Sequence, residues 1–209
     1  MDALFGANGL DPLRTIALFS LVAWASGVRL YLVVFVLGLA SCNGWITLPA
    51  GLHVLQHPYV IGAAGLMLAI EFLADKVPWI DSAWDQVHTF IRVPAGALLA
   101  AGATGDTLSA ATIAAGLLGG TITAGTHFAK SGGRLAINTS PEPFTNWTAS
   151  LTEDAAVLGA IWLAFAHPVA FLALFVLFLA FLAWLLPKLW RLAAAAFRRL
   201  RREPGRSAT

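Results

Sequence analysis

The sequence predicts an all-α integral membrane protein, built as a compact bundle of about six transmembrane helices. The chain is 58% hydrophobic, and only 11% of its residues are charged, whereas soluble domains carry about 25% charged residues. No Asp, Glu, Lys or Arg occurs between Asp154 and Lys188, although one helix needs only about 20 apolar residues to cross a bilayer. Open strands would leave backbone groups unpaired in lipid, so helices are expected.

The first predicted span begins with a helix-start signal. Asp11 supplies a capping side chain, and Pro12 follows as a residue with no amide hydrogen to satisfy. Apolar sequence then runs to Leu39, interrupted by SGVR at 26–29. The residues before it lack the basic region of a signal peptide, so this helix is expected to be retained. The single cysteine, Cys42, is interpreted as a small apolar loop residue.

The next two spans flank a strongly polar segment. Residues 43–58 are expected to form a loop with room for one short helix, and a second span runs from Pro58 to about Ala74. Residues 71–92, EFLADKVPWIDSAWDQVHTFIR, concentrate acids, bases and a histidine in an otherwise apolar chain. We call them the first polar segment. A short third span, 93–103, follows them.

The second half of the chain repeats this alternation of apolar and polar sequence. A fourth span, 107–129, is rich in small residues that let membrane helices approach closely, so it is expected to be central to the bundle. Residues 130–154 form the second polar segment. Two closing spans, about 155–166 and 168–187, are divided at His167, because one straight helix over both would exceed the bilayer thickness.

The third and fifth spans are short for full crossings. Three interpretations stay open: these helices are tilted, they continue into the polar segments, or they belong to re-entrant segments sheltered by protein or a water cavity.

Basic residues place the C-terminus in the cytoplasm. Seven of the thirteen follow the last span: Lys188, Arg191, Arg198, Arg199, Arg201, Arg202 and Arg206. Positive charge flanking spans stays on the cytoplasmic side, and six spans return the N-terminus there, as in a multi-pass protein of the cell inner membrane. Residues 1–187 are therefore one predicted transmembrane domain, and 188–209 a basic cytoplasmic tail. Its expected partners are the lipid bilayer and anionic headgroups rather than nucleic acid.

The first polar segment carries most of the candidate site residues. Four ionisable side chains are spaced so that they share one face of a helix over residues 80–91: Asp81, Asp85, His88 and Arg92. This face either lies in water at the membrane surface or lines a cavity. Glu71 and Asp75, one helical turn apart at the end of an apolar span, favour the cavity, since ionisable groups inside a membrane mark a pathway or a paired site.

Two arginines are the predicted partners of these carboxylates. Arg29 lies within the first span and Arg134 lies near the end of the fourth. At least one of them is expected within ion-pair reach of Glu71 or Asp75, because an unpaired charge in an apolar interior is costly. A purely structural ion pair is the alternative.

The second polar segment has a different character. Pro141 and Pro143 interrupt any continuous helix, and broken helices expose backbone groups that bind ions or anionic groups. Asn138 and Glu142 are the predicted ligands there, with a plain cytoplasmic loop as the alternative. His127, three residues before Lys130, is a further candidate for the cavity.

Short similarities between the two halves are also present. SGVRL at 26–30 recurs as SGGRL at 131–135. At a second offset, Asp75, Pro78 and Trp84 fall on Asn138, Pro141 and Trp147. The two offsets do not fit one simple duplication, so an internal repeat, parallel or inverted, stays open.

Three stretches resemble a known family: EFLADKVPWIDSAWDQVHTFIRVPAGA, KSGGRLAINTSPEPFTN and SGVRLYL. They are similar to the bacterial membrane family of domain of unknown function 4126, over roughly residues 14–187. The resemblance implies a compact multi-span protein but no activity. The residues that match the family's motifs are Glu71, Asp75, Lys76, Pro78, Asp81, Trp84, Asp85, His88, Arg92, Arg134, Asn138, Pro141 and Glu142. The concentration of polar residues there favours the cavity interpretation.

The leading functional hypothesis is a small membrane transporter or channel with a charged, water-accessible site formed by the two polar segments. The expected site residues are Arg29, Glu71, Asp75, Asp81, Asp85, His88, Arg92, Arg134, Asn138 and Glu142. Their mixed signs favour a proton-coupled, anionic or zwitterionic solute, or a lipid headgroup, over a bare cation pore. The sequence specifies no cofactor.

Two rival functions stay open. An intramembrane metal-dependent enzyme would use Asp81, Asp85, His88 and Glu142 as ligands or acid–base groups. The spacing matches no known ligand motif, and no HExxH, Walker loop or CxxC occurs in the sequence. A structural or regulatory subunit would use the glycine-rich fourth span as a packing surface for a partner. A homo-oligomer stays open as well.

The predicted topology is tested by two introduced cysteines. In a Cys42→Ser background, cysteines at Ala7 and Ser207 are expected to stay unmodified when a membrane-impermeant thiol reagent is added to intact cells, because both ends face the cytoplasm. Modification is measured as a mass shift of the purified protein. Reaction at either position from outside would refute the topology.

Overall fold

The computed structural model describes residues 11–105, 109–138 and 143–202, which form helices and no strand. The elements are α1 (Pro12–Cys42), a 3₁₀ helix (Ala50–Gln56), α2 (Pro58–Ala74), α3 (Pro78–Ala103), α4 (Ala110–Asn138), α5 (Pro143–Ala166) and α6 (Pro168–Arg202). Over the described residues, the all-α prediction is confirmed.

Three of these helices begin where the sequence indicates. The Asp11 carboxylate accepts a hydrogen bond from the amide of Leu13, and the His57 ring accepts one from Tyr59, so each side chain caps the helix that follows. Prolines at the first helical position complete both starts. Pro168 likewise begins α6, which confirms the predicted break between the last two spans.

The polar segments are continuations of helices. α3 runs through Pro94 without a break, so the end of the first polar segment and the short third span form one helix. The second polar segment is divided between the end of α4 and the start of α5. Of the three interpretations left open by the sequence, continuation into the polar segments is therefore the one observed. Residues 139–142, including Glu142, lie outside the described residues.

α6 extends further than the predicted last span. It passes through Pro187 and ends at Arg202, so the first part of the basic tail continues the helix.

α1 is the central helix of the bundle. It contacts the 3₁₀ helix and every other α-helix. In its most apolar 18-residue window 67% of the residues are buried, compared with 22% for α5 and 17% for α6. The fourth span was expected at the centre, but α4 packs mainly on α3 and α1. α1 is not straight, because Arg29 has the non-helical backbone angles φ −145° and ψ 72°. This break falls in the predicted SGVR interruption.

Small residues let α1, α3 and α4 approach closely. Gly27 of α1 faces the backbone of Thr123 on α4, and Gly96 of α3 faces the Thr123 side chain. Gly119 of α4 packs against Ala100 of α3. The prediction that small residues bring α4 close to its neighbours is therefore confirmed.

Soluble proteins bury apolar residues and expose charged ones, whereas this bundle buries charged residues and exposes apolar ones. On α3, Asp85 and Arg92 are buried, whereas Trp79, Phe90 and Leu98 are between 74% and 88% exposed. Such a surface is favoured by an apolar medium, because water would leave these side chains unfavourably hydrated. The distribution therefore indicates a membrane protein.

Three described helices are long and apolar enough to cross a bilayer: Pro12–Cys42, Phe144–Ala166 and Pro168–Arg191. The 3₁₀ helix and α2, bent by 68° to each other, count as a fourth if the pair is one span. α3 and α4 do not meet the same criterion, so the six-span count stays a prediction.

Close packing at Gly27 is tested by alanine substitution. A Cβ atom there would lie 2.6 Å from the carbonyl oxygen of Thr123, so Gly27→Ala is expected to lower stability by about 1–3 kcal/mol through overpacking. The matched control is Gly62→Ala in α2, where a Cβ would meet no atom within 4 Å. It should be neutral or stabilising by up to about 1 kcal/mol, because alanine favours helix. Thermal unfolding in detergent measures both variants, and equal melting temperatures would contradict the packing account.

Candidate functional site

Charged side chains from five helices form one largely buried network, which we call the charged cluster. It contains six carboxylates and four cations: Glu71, Asp75, Asp81, Asp85, Glu153, Asp154, Arg29, Arg92, Lys130 and Arg134. Six of the chain's eleven acidic residues are therefore in this one place. Every carboxylate lies within 4.0 Å of at least one of the four cations.

Arg29 connects α1 to α2 and α5. Its guanidinium pairs with Asp75 and lies 3.5 Å from Glu71, while its Nε lies 2.8 Å from Asp154 Oδ1. Nη2 donates to Ser150 Oγ at 2.6 Å, and that hydroxyl donates to Asp75 at 3.0 Å. The side chain is fully buried at the break in α1. The break therefore places a cation where α1, α2 and α5 meet.

Arg92 connects α3 to α2 and α4. It pairs with Glu71 and donates to Asp85 Oδ1 at 3.1 Å. The same nitrogen lies 3.2 Å from His127 Nδ1, which must then accept. His127 Nε2 lies 2.7 Å from Thr89 Oγ1 and 3.2 Å from the carbonyl oxygen of Asp85, so it carries the proton. This hydrogen-bond pattern assigns His127 as a neutral imidazole that orients Arg92.

Arg134 connects α4 to α5. Its Nε and Nη2 donate to the two oxygens of Glu153 at 3.0 and 3.1 Å, the bidentate geometry in which arginine binds carboxylates most strongly. It also lies 3.5 Å from Asp75 and 3.9 Å from Asp81. Arg29 Nε lies 3.4 Å from Glu153 as well. The two arginines therefore share two carboxylates, Asp75 and Glu153.

Lys130 completes the network from α4. Its ammonium group lies 3.2 Å from Glu153, 3.8 Å from Glu71 and 3.9 Å from Asp85. It also donates to the carbonyl oxygen of Val28 at 2.9 Å, immediately before the break in α1. One flexible cation thus contacts carboxylates from three helices.

The predicted polar face of α3 is confirmed. Asp81, Asp85, His88 and Arg92 point to one side, and each is at most 4% exposed. The surface-helix interpretation, which places this face in water, is therefore wrong. His88 lies beside the cluster, with Nδ1 2.8 Å from the carbonyl oxygen of Trp84 and its ring stacked on that of Trp84 at 4.1 Å.

The predicted pairing of arginines with carboxylates is also confirmed, since both Arg29 and Arg134 contact Asp75. The partner of Glu71 differs, because Arg92 is closer to it than Arg29. The other two predicted ligands are not placed. Asn138 is the last residue of α4, but its side chain is not described, and Glu142 lies outside the described residues.

Sequence reasoning missed three members of the cluster: Lys130, Glu153 and Asp154. A signal for the acids existed, because Glu153 and Asp154 stand immediately before the long charge-free run. Glu71 and Asp75 stand in the same way at the end of an apolar span, the position that predicts a buried ionisable group.

A polar cavity adjoins the cluster, and we call it the side cavity. Its volume is about 160 Å³, and it lies between α3 and α4. Its lining residues are Ser82, Asp85, Gln86, Thr89, Phe128, Ser131, Arg134 and Leu135. Two larger cavities, of about 500 and 280 Å³, are lined by apolar and aromatic side chains. Of these three cavities, the side cavity alone has cluster residues in its wall.

Several buried polar atoms have no hydrogen-bond partner within the described part of the chain. Among them are Glu71 Oε2, Trp84 Nε1, His88 Nε2 and Arg92 Nε. Buried polar groups in proteins are almost always hydrogen-bonded, to protein or to water, because an unpaired one costs about 1–3 kcal/mol. The interior around Glu71 and His88 therefore favours occupation by water or a polar ligand.

A family model described as "Domain of unknown function (DUF4126)" matches residues 16–188. The chain belongs to the DUF4126 family. The match confirms the resemblance carried by the polar segments, and it covers the whole charged cluster while leaving out almost all of the basic tail. Comparison with curated proteins and with solved structures finds no match.

The carboxylates of this DUF4126 protein are arranged around cations. Within residues 11–105, 109–138 and 143–202, no three His, Cys, Asp or Glu side chains are placed to hold one metal ion. Asp81, Asp85 and His88 thus do not converge as the metal-enzyme alternative requires, and Glu142 is outside the described residues.

The role of Arg29 in holding the DUF4126 bundle together is tested by removing its charge. Arg29→Met is expected to lower stability by about 3–5 kcal/mol, because it leaves buried carboxylates without their partner. Arg14→Met is the matched control, since Arg14 is exposed on the same helix. Adding Asp75→Asn to Arg29→Met should recover part of the loss. Thermal unfolding of the purified proteins in detergent gives the comparison, and an Arg29→Met protein as stable as Arg14→Met would contradict the account.

Proposed function

We propose that this chain is a small membrane transporter or channel whose site is the charged cluster. The observation that supports the proposal is the charge imbalance, six carboxylates against four cations among the described residues of one network. The two acids that create the imbalance, Glu153 and Asp154, are 18% and 21% exposed at its edge. A network that only joined helices would be expected to balance its charge, because an uncompensated buried charge costs several kcal/mol. Two carboxylates are left to be neutralised by a proton or a bound cation, which are species that can exchange.

The charge count changes the expected substrate. The residues selected from the sequence had mixed signs and favoured an anionic or zwitterionic solute. Glu153 and Asp154 contact Arg29, and with them acids outnumber bases in the cluster. An excess of carboxylates favours cations. The proposed substrate is therefore a proton or a small monovalent cation, moved alone or coupled to a solute.

The proposed placement is in the cell inner membrane, with six spans and both termini in the cytoplasm. The polar residues that lower the hydropathy of α3 are buried against other helices, whereas its apolar side chains are exposed. α3 can therefore cross a bilayer although its average composition does not suggest it. Tight packing of α4 on α3 supports the same conclusion for α4.

The contacts of the arginines support an internal repeat of α1–α3 and α4–α6. Arg29 lies in SGVRL and Arg134 in SGGRL, and the two share the carboxylates of Asp75 and Glu153. Asp75 follows α2, the helix after Arg29, and Glu153 lies in α5, the helix after Arg134. Many transporters place their site where two such repeats meet.

A structural subunit is the main rival. It would be expected to have a fully paired interior, since it exchanges nothing with solvent. Glu71 Oε2 and His88 Nε2, which have no hydrogen-bond partner among the described residues, support transport over that alternative.

Flux through reconstituted liposomes tests the function. Purified protein is expected to conduct H⁺, Na⁺ or K⁺ above the rate of empty liposomes, measured with pH- and cation-sensitive dyes. Glu71→Gln should reduce that flux at least tenfold, because it removes a fully buried carboxylate that Arg29, Arg92 and Lys130 contact. Asp154→Asn makes the same change at the more exposed edge of the cluster, in case Glu71→Gln fails to fold.

The matched control is Arg14→Gln, an exposed change on α1 that should leave the flux intact. No flux of any of the three cations, or an unchanged flux in both acid-to-amide variants, would refute the proposal.

A further inference from the structure

We propose that the side cavity is the entrance through which cations reach the charged cluster. This inference rests on the proposed function. It adds the path by which cations enter and the reason why cations are preferred over anions. Two cluster residues, Asp85 and Arg134, are wall residues of the cavity. Neither of the two larger cavities has a charged side chain in its lining.

The inner wall of the side cavity is suited to water and cations. Ser82, Thr89 and Ser131 supply hydroxyl groups, and Ser131 Oγ donates to Asp85 Oδ2 at 3.3 Å. The volume of about 160 Å³ has room for several waters, since one water needs only about 10–15 Å³ of such space. A small hydrated cation fits this space, or a short chain of waters that conducts protons.

The cavity is also open to the outside of the bundle. Gln86 is an exposed polar residue in its lining. Its lining comes from residues 82–89 of the first polar segment and 128–135 of α4. In the proposed topology, both polar segments lie towards the cytoplasm. The opening is therefore assigned to the cytoplasmic half of the bundle.

The charges behind the wall favour cations over anions. Arg134 faces the cavity, but its guanidinium is held by both oxygens of Glu153, so little of its positive charge is free to attract an anion. Asp85 contacts Arg92 and lies 3.9 Å from Lys130, and both cations also contact Glu71, which has an oxygen without a hydrogen bond among the described residues. A cation that enters beside Asp85 thus approaches a network in which carboxylates are in excess.

Cysteine accessibility tests the entrance directly. In a Cys42→Ser background, Ser131→Cys places a thiol in the wall of the side cavity. It is expected to react with membrane-impermeant methanethiosulfonates added to both sides of the membrane, and to react at least tenfold faster with the trimethylammonium reagent than with the sulfonate. The two reagents differ in rate even at an exposed thiol. The ratio of their rates at native Cys42, measured in the unsubstituted protein, therefore serves as the reference ratio. Thr89→Cys, in the same wall, replaces Ser131→Cys if that variant does not fold.

Two controls define the result. Ala95→Cys lines the 500 Å³ apolar cavity and is half-buried like Ser131, so it should react with neither reagent. Asp85→Asn, added to Ser131→Cys, should reduce the preference for the cationic reagent towards the reference ratio. The entrance proposal would be overturned if neither wall cysteine reacts in folded protein. It would also be overturned if, after division by the reference ratio, the sulfonate reacts faster than the trimethylammonium reagent.

The accessibility result is independent of the flux result. Cation flux with unreactive wall cysteines would overturn the entrance and leave the transport proposal standing. If the wall cysteines react and prefer the cationic reagent but no flux is measured, the cavity is a cation-accessible site without a role in transport.

Discussion

The burial of the Arg29 guanidinium is the constraint on which the arrangement of the helices depends. A guanidinium inside an apolar bundle is tolerated only when carboxylates and hydrogen-bond acceptors surround it, because desolvation of its charge is expensive. Arg29 therefore requires Asp75 from the end of α2, together with Ser150 and Asp154 from α5. These contacts determine where α2 and α5 lie against the central helix.

The shared carboxylates extend this constraint to both halves of the chain. Asp75 and Glu153 each contact both Arg29 and Arg134, so neither half can move away without breaking contacts to the other. In the proposed transporter, a proton or cation on a surplus carboxylate weakens or replaces such contacts. Binding is thereby coupled to any movement of the halves, because the same groups perform both tasks.

Sequence reasoning succeeded where the relevant interactions are local. The starts of α1 and α2 depend on a capping side chain and a proline within the same few residues, Asp11–Pro12 and His57–Pro58. The shared face of Asp85, His88 and Arg92 follows from helical spacing alone. The pairing of Arg29 with Asp75 was also predictable, since a buried charge in an apolar span requires a partner of opposite sign.

The sequence by itself determined the helical class, the apolar exterior and the two polar segments that carry the site, because composition, periodicity and capping act over short distances. Only the tertiary structure decided that α1 is central, that Arg92 is the partner of Glu71, and that Lys130 and Glu153 join the cluster. The physical reason is that these contacts join residues from different helices, and the partner of each charge is determined by which helices pack side by side.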